Sequence, residues 1–301
     1  MTTPNILKKP AADFEVVSLK RNPTSPRTLF GLIMSGIAGL FTLLAIIPLL
    51  IILTYLLTRG ISSLSAAAFT ELPPPPLVDG GGFGNAIVGT VVMVGIGGLL
   101  SVPLGIMAAI YLSEFNEGKA SEWISFATNV LSGVPSIIVG VFAYGAIVLT
   151  TKSYSAWAGG FALAILMLPI IVRTTDESLK LVPQDVRQAS VGIGANRYQT
   201  VLQVVLPAAL PAIITGITLA VARAAGETAP LLFTALFTQY WPNWDNLLVE
   251  PTASLSVLVY NFAIVPFKNQ QELAWGAAFI LVLLVLFTSI ISRLATAKRT
   301  Y

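Results

Sequence analysis

The sequence predicts an all-α integral membrane protein with six transmembrane helices. Three observations predict it. Hydrophobic residues fill 55% of the 301 positions and Asp, Glu, Lys and Arg only 10%, against about 25% charged residues in an ordinary soluble domain. Apolar runs long enough to cross a bilayer recur along the chain. The basic residues gather in alternate connections between those runs.

A hydrocarbon core about 30 Å thick takes roughly 20 apolar residues as a helix. Uncharged stretches of that order cover 28–58, 80–113, 123–151, 153–172 and 273–292, and 198–222 supplies the sixth. The first follows a basic tail, but its apolar run is about twice a signal-peptide core and no small-residue cleavage pattern follows it. It is read as a retained helix. The division expected is a tail over 1–28, a first transmembrane helix over 29–58, a Pro/Gly-rich linker over 59–82, a core domain over 83–293 and a second tail over 294–301. In the linker, Pro73–Pro76 favour a stiff spacer and Gly80–Gly82 a flexible break.

Six spans put the tails and the 114–122 and 173–197 connections on one side. That side holds Lys8, Lys9, Lys20, Arg21, Arg27, Lys119, Arg173, Lys180, Arg187, Arg197, Arg293, Lys298 and Arg299, and the other only Arg59, Lys152 and Lys268. Cytoplasmic loops carry the excess of Lys and Arg. Both termini are therefore expected in the cytoplasm, in a multi-pass protein of the plasma membrane (the inner membrane if the cell has two). The other long outer connection, 229–271, contains QYWPNW, whose aromatics suit an interface belt.

The chain has no Cys and no His, which excludes disulfides, Cys or His zinc sites and Ser-His or Cys-His catalysis. No span carries clustered carboxylates for a buried catalytic site, so no catalytic residue and no metal are expected. The net charge of +3 does not suggest a nucleic-acid partner.

Residues 173–206 form a long polar interruption with helical pattern. Pro183 can open a helix, on which Val186, Ala189, Ser190 and Ile193 share a face. Gly192 and Gly194 end it, and Asn196 can cap a second helix. Tyr198, Val201, Leu202 and Val205 give that helix an apolar stripe. Two short helices joined at a glycine make a protruding knob over 182–206.

Gln188-Ala189-Ser190, three residues, Gly194, nine residues, then Val204-Val205-Leu206-Pro207 resembles the EAA motif of ABC importer permeases. Gln188 stands where the family has an acid and Ser190 where it has Ala. The resemblance implies a type I ABC importer permease fold and a coupling helix, with Gln188, Ala189, Ser190, Gly194, Leu206 and Pro207 facing a separate ATPase. The chain has no G-x-x-x-x-G-K-[ST] loop, so no ATP hydrolysis is expected of it.

LSGVPSIIVGVFAY (131–144), LPIIVRTTDESL (168–179), the 205–235 stretch ending ARAAGETAPLLFTA, and GGFGNAIVGT (81–90) together resemble the PstA-type permeases of phosphate importers. The resemblance implies an ABC transmembrane type-1 domain over 83–293. Its implied partners are a PstC-type permease, two ATPase subunits that use the ATP, and an extracytoplasmic phosphate-binding protein. No cofactor is expected on the chain itself, and the lipid bilayer is expected to surround it.

Within ARAAGETAP, Arg223 and Glu227 are four apart in an otherwise uncharged stretch. An ionisable group inside a span is costly and marks a functional site by default. An Arg fork matches two phosphate oxygens. Arg223, Glu227, Thr228 and Arg173 are the candidate substrate path, Arg173 having Asp176 and Glu177 in reach. The alternative for Arg223 and Glu227 is an ion pair on one helix face that fixes register. Arg223 lies in the outer half of the membrane if its helix starts near Pro207, and nearer the middle if the helix runs on past Pro230. Transport of another oxyanion, such as sulfate or molybdate, and a sensor or scaffold without transport are the other functions open at this stage.

Overall fold

A computed structural model of the chain describes residues 26–115, 118–246 and 249–297. Most of both tails, with Lys8, Lys9, Lys20, Arg21, Lys298 and Arg299, lies outside the described residues. α1 (Pro26–Ser62) is an apolar helix of 37 residues, with Pro48 inside it. It is ~55 Å long at 1.5 Å per residue. Up to Leu53 it belongs to a first unit, and Thr54 opens a second unit that holds the rest of the chain.

The second unit is built on α3 (Gly84–Glu114) and α7 (Ala156–Lys180). Small residues let these two helices approach closely. A Cβ added at Gly160 of α7 would lie 2.5 Å from Ile96, and one at Gly105 of α3 would lie 2.7 Å from Ile171. Met93, Leu163, Met167 and Ile171 fill the seam and are buried. Large apolar side chains beside glycines thus replace the alternation that an amphipathic soluble helix would show.

The third apolar run is not one straight helix. α4 (Lys119–Gly133) and α5 (Ser136–Ala143) are separated at Val134, and the pair is bent by 107°. Pro135 is the reason: a residue before proline is pushed out of helical conformation, and Val134 is extended at φ −74°, ψ 128°. α5 continues through a π-helical segment, Tyr144–Val148, into α6 (Leu149–Thr151). Among the described residues, five helices are long and apolar enough to cross a membrane, and the bent pair makes six if it counts as one span.

The fourth run also ends later than its apolar stretch. α7 runs on through Thr175–Lys180, so the first eight residues of the polar stretch from 173 are helical and the chain leaves the helix only at Leu181. α10 (Leu206–Gly226) packs on α7, with Gly216 against Thr174. α12 (Leu255–Ile264) packs with α13 (Lys268–Ala297) and with Phe83 in one buried cluster.

Both long connections are folded onto this frame. In 59–82, α2 (Ala66–Thr70) buries Ala68, and the N–H groups of Gly82 and Phe83 donate to the carbonyls of Leu72 and Ala68. Gln270 donates to the Pro74 carbonyl at 3.1 Å. The expected linker is thus docked against α13 rather than free. In 229–271, α11 (Ala229–Thr234) and α12 take up much of the chain. Buried Asn85 of α3 donates to the carbonyls of Thr238 and Tyr240, tying down the aromatic stretch.

Candidate functional site

Two places match the residues singled out in the sequence, the end of α10 and the knob. At the first, α10 stops at Gly226, three residues beyond Arg223. Glycine is a poor helix residue, and Glu227 that follows is extended at φ −72°, ψ 129°. The helix therefore does not run on past Pro230. Glu227 lies just beyond the helix end rather than on its face. Its backbone N–H donates to the Ala224 carbonyl, and its own carbonyl accepts the Ser256 hydroxyl at 2.8 Å. Thr228 follows, and its carbonyl accepts the N–H groups of Leu231 and Leu232 to start α11.

The side chains of Arg223 and Glu227 still meet. Arg223 Nε donates to Glu227 Oε1 at 3.4 Å, with the two side chains 57% and 16% exposed. This single long bond leaves both terminal guanidinium nitrogens of Arg223 unengaged among the described residues. The exposed fork has the geometry to take two oxygens of an anion.

Arg173 sits on α7 seven residues before its end, about 10 Å of rise. It does not pair with Asp176 or Glu177. Lys180 takes Asp176 at 2.6 Å, and Arg173 Nη2 donates to Asn129 Oδ1 on α4. Arg173 is next to Thr174, which packs on Gly216. Arg223 is seven residues past Gly216, again about 10 Å along the axis. The two arginines are thus on neighbouring helices but do not touch.

The knob begins after α7. α8 (Gln184–Gly192) opens behind Pro183, and Gly194 turns the chain at φ +93°, a conformation that suits glycine. Asn196 and Gln199 form a capping box, each side chain bonded to the other's backbone N–H at 2.9 Å. α9 (Arg197–Gln199) then runs through a π-helical segment, Thr200–Val205, into α10. The π-helical turns alter the expected stripe: Val201 and Val205 are buried while Tyr198 and Leu202 are exposed. On α8 only Ser190 of the expected face is buried. Its hydroxyl meets that of Thr200 at 3.0 Å, which gives the serine a role alanine could not fill. Gln188, Ala189, Gly194 and Pro207 are exposed and Leu206 is half-buried.

Sequence reasoning missed what holds the knob in place. Arg187 of α8 bonds the Glu114 carboxylate at the end of α3 and also donates to the Leu179 carbonyl at 2.7 Å. Arg197 lies over the Phe115 ring at 4.8 Å and donates to the Glu114 carbonyl. Phe115 stacks on Tyr198. Glu114 and Phe115 are more than 70 residues from their partners on the knob, so no local spacing points to them. Large apolar side chains stand among its outward residues: Leu181, Val191 and Ile193 are exposed, Ile193 at 88%.

A membrane bundle with a polar knob pinned at one end and exposed apolar side chains on it has the fold of a type I ABC importer permease. Its fold is that of a structure of the MetNI methionine ABC transporter (TM-score 0.58, 20% identity, covering 72% of this chain and 95% of that one). A structure of a bacterial alginate ABC transporter also shares it (TM-score 0.59, 13% identity, 91% and 99% covered). Residues 101–300 match the family model described as binding-protein-dependent transport system inner membrane component. The phosphate transport system permease protein PstA of Yersinia pestis is 41% identical over 245 residues, 81% of this chain and 82% of that protein. PstA 1 of Mycobacterium tuberculosis H37Rv is 35% identical over 286 residues, 91% and 92%. The chain belongs to the PstA-type permeases within that inner membrane family.

Proposed function

We propose that this chain is the permease subunit of an ATP-driven inorganic phosphate importer and forms half of the translocation path. The observation that carries the reading is the exposed, half-engaged Arg223 fork at the end of α10. A guanidinium cannot be titrated away and binds phosphate oxygens two at a time. Glu227 keeps the fork oriented without saturating it, Thr228 adds a hydroxyl beside it, and Arg173 supplies a second cation one helix away.

The other half of the path is a PstC-type permease. An extracytoplasmic phosphate-binding protein delivers the anion. Of two copies of an ATPase subunit, one docks on the knob through Gln188, Ala189, Gly194, Leu206 and Pro207, with buried Ser190 bracing that face from behind and Ile193 and Val191 entering an apolar groove. Hydrolysis takes place there and not in this chain, which binds no cofactor. Both termini are cytoplasmic, a reading that the 13 to 3 distribution of basic residues supports. Closure of the ATPase dimer moves the knob, α7 and α10 rock with it, and the path opens to the binding protein.

Phosphate uptake by cells carrying Arg223→Gln tests the path. The expected result is no uptake with the transporter still assembled. Normal uptake by that variant would remove Arg223 from the path. Crosslinking from residue 193 to the ATPase subunit tests the docking.

A further inference from the structure

A cavity of about 760 Å³ opens at the end of α3 away from the knob. Arg59, Lys268, Asp79 and Glu272 line it, with Tyr55 and Trp275. The sequence places only three basic residues on that side, and two of them are here. Arg59 closes the apolar run of α1 and Lys268 opens α13. The rings of Tyr55 and Trp275 lie 6.2 Å apart, just inward of those two cations along the helices. Tyr and Trp mark the level of lipid headgroups, so the cavity sits where a bilayer presents them. Lys268 engages Glu272 only at 3.8 Å with both side chains exposed, and no ion pair joins Arg59 among the described residues.

We propose that this cavity binds the headgroup of a zwitterionic phospholipid, its phosphate between Arg59 and Lys268 and its ammonium at Asp79 and Glu272. The two cations and two carboxylates that line it carry no net charge together. A zwitterion satisfies both signs, whereas an anionic headgroup leaves the carboxylates opposed. The site is separate from the Arg223 path and requires only that the chain lie in a bilayer. Free inorganic phosphate shares half of this chemistry, and the experiment separates the two.

The full chain, purified in detergent and stripped of lipid, is titrated with phosphatidylethanolamine or phosphatidylglycerol and read by native mass spectrometry. Phosphatidylethanolamine is expected to bind preferentially. Arg59→Gln and Lys268→Gln each weaken it about tenfold, the loss of one charge-assisted hydrogen bond. Lys152→Gln, at the outer cation that does not line the cavity, leaves it unchanged. A melting curve reports whether each variant is folded, and either one alone suffices for the test. Equal binding of phosphatidylglycerol, or unchanged binding in the folded variants, overturns the proposal. So does displacement of the lipid by millimolar inorganic phosphate, which marks a free-anion site instead.

Discussion

Arg187 on the first helix of the knob is bound to Glu114, the last residue of α3 and 73 positions earlier in the chain. The side chains are 14% and 10% exposed. The knob is therefore anchored to a helix with which it shares no sequence neighbourhood, and α3 leads to the opposite end of the bundle.

Removing one partner of such a pair leaves a buried charge without compensation. Glu114→Gln is expected to destabilise the chain by about 3 kcal/mol and to expose the knob to limited proteolysis. In a double-mutant cycle, adding Arg187→Gln should cost less than it does alone. A Glu114→Gln protein that melts with the wild type would show the pair to be idle.

Arg223→Lys keeps the charge and loses the fork. Phosphate uptake should fall at least about tenfold, since a planar, bidentate donor is replaced by a point charge. Glu227→Gln tests the other half of the pair. Arg223 is more than half exposed and the bond is 3.4 Å long, so stability should change by no more than about 0.5 kcal/mol. A large loss of stability in Glu227→Gln would instead favour the structural reading of the pair.

Gly194→Ala forces a side chain into φ +93°. The cost is about 1 kcal/mol or more, and it falls on the joint between α8 and α9. Slower crosslinking of residue 193 to the ATPase subunit, with α7 and α10 unaffected, is the expected pattern. Unchanged crosslinking would mean the joint tolerates a side chain.

Gly140 and Gly145 make a matched pair. A Cβ at Gly140 would lie 2.6 Å from Pro230 Cα on α11, whereas one at Gly145 meets nothing within 4 Å. Gly140→Ala should therefore cost about 1–3 kcal/mol and shift the start of α11 beside Glu227. Gly145→Ala should be silent in the same melting assay. Equal behaviour of the two would contradict the α5–α11 contact.

The apolar runs located the long helices because bilayer thickness sets one length for all of them. The knob was legible for a local reason: Pro183, Gly194 and the Asn196–Gln199 box act within a few residues. Arg173 was not, because Asp176 and Asn129 both lie in reach and only the approach of α4 decides between them. The bend at Val134 was hidden inside an unbroken apolar run, although Pro135 was visible. α12 was missed because its ten residues are too few to cross a bilayer and sit among outer-loop residues. Their burial comes from α13 and Phe83, which are distant in sequence.

From Arg197 to Gly226 the chain is one shaft of 30 residues, with the knob at its foot and Arg223 near its head. The π-helical segment Thr200–Val205 gives that shaft one residue of slack in its thread. Tightening it to an α-helix with every residue kept would turn Arg223 about 100° around the shaft and raise it about 1.5 Å. Deleting exposed Gln203 instead removes the surplus residue and leaves Arg223 facing the same way. A Gln203 deletion that still imports phosphate, beside a Gln203 duplication that does not, is the outcome expected of a screw whose pitch is set at its foot.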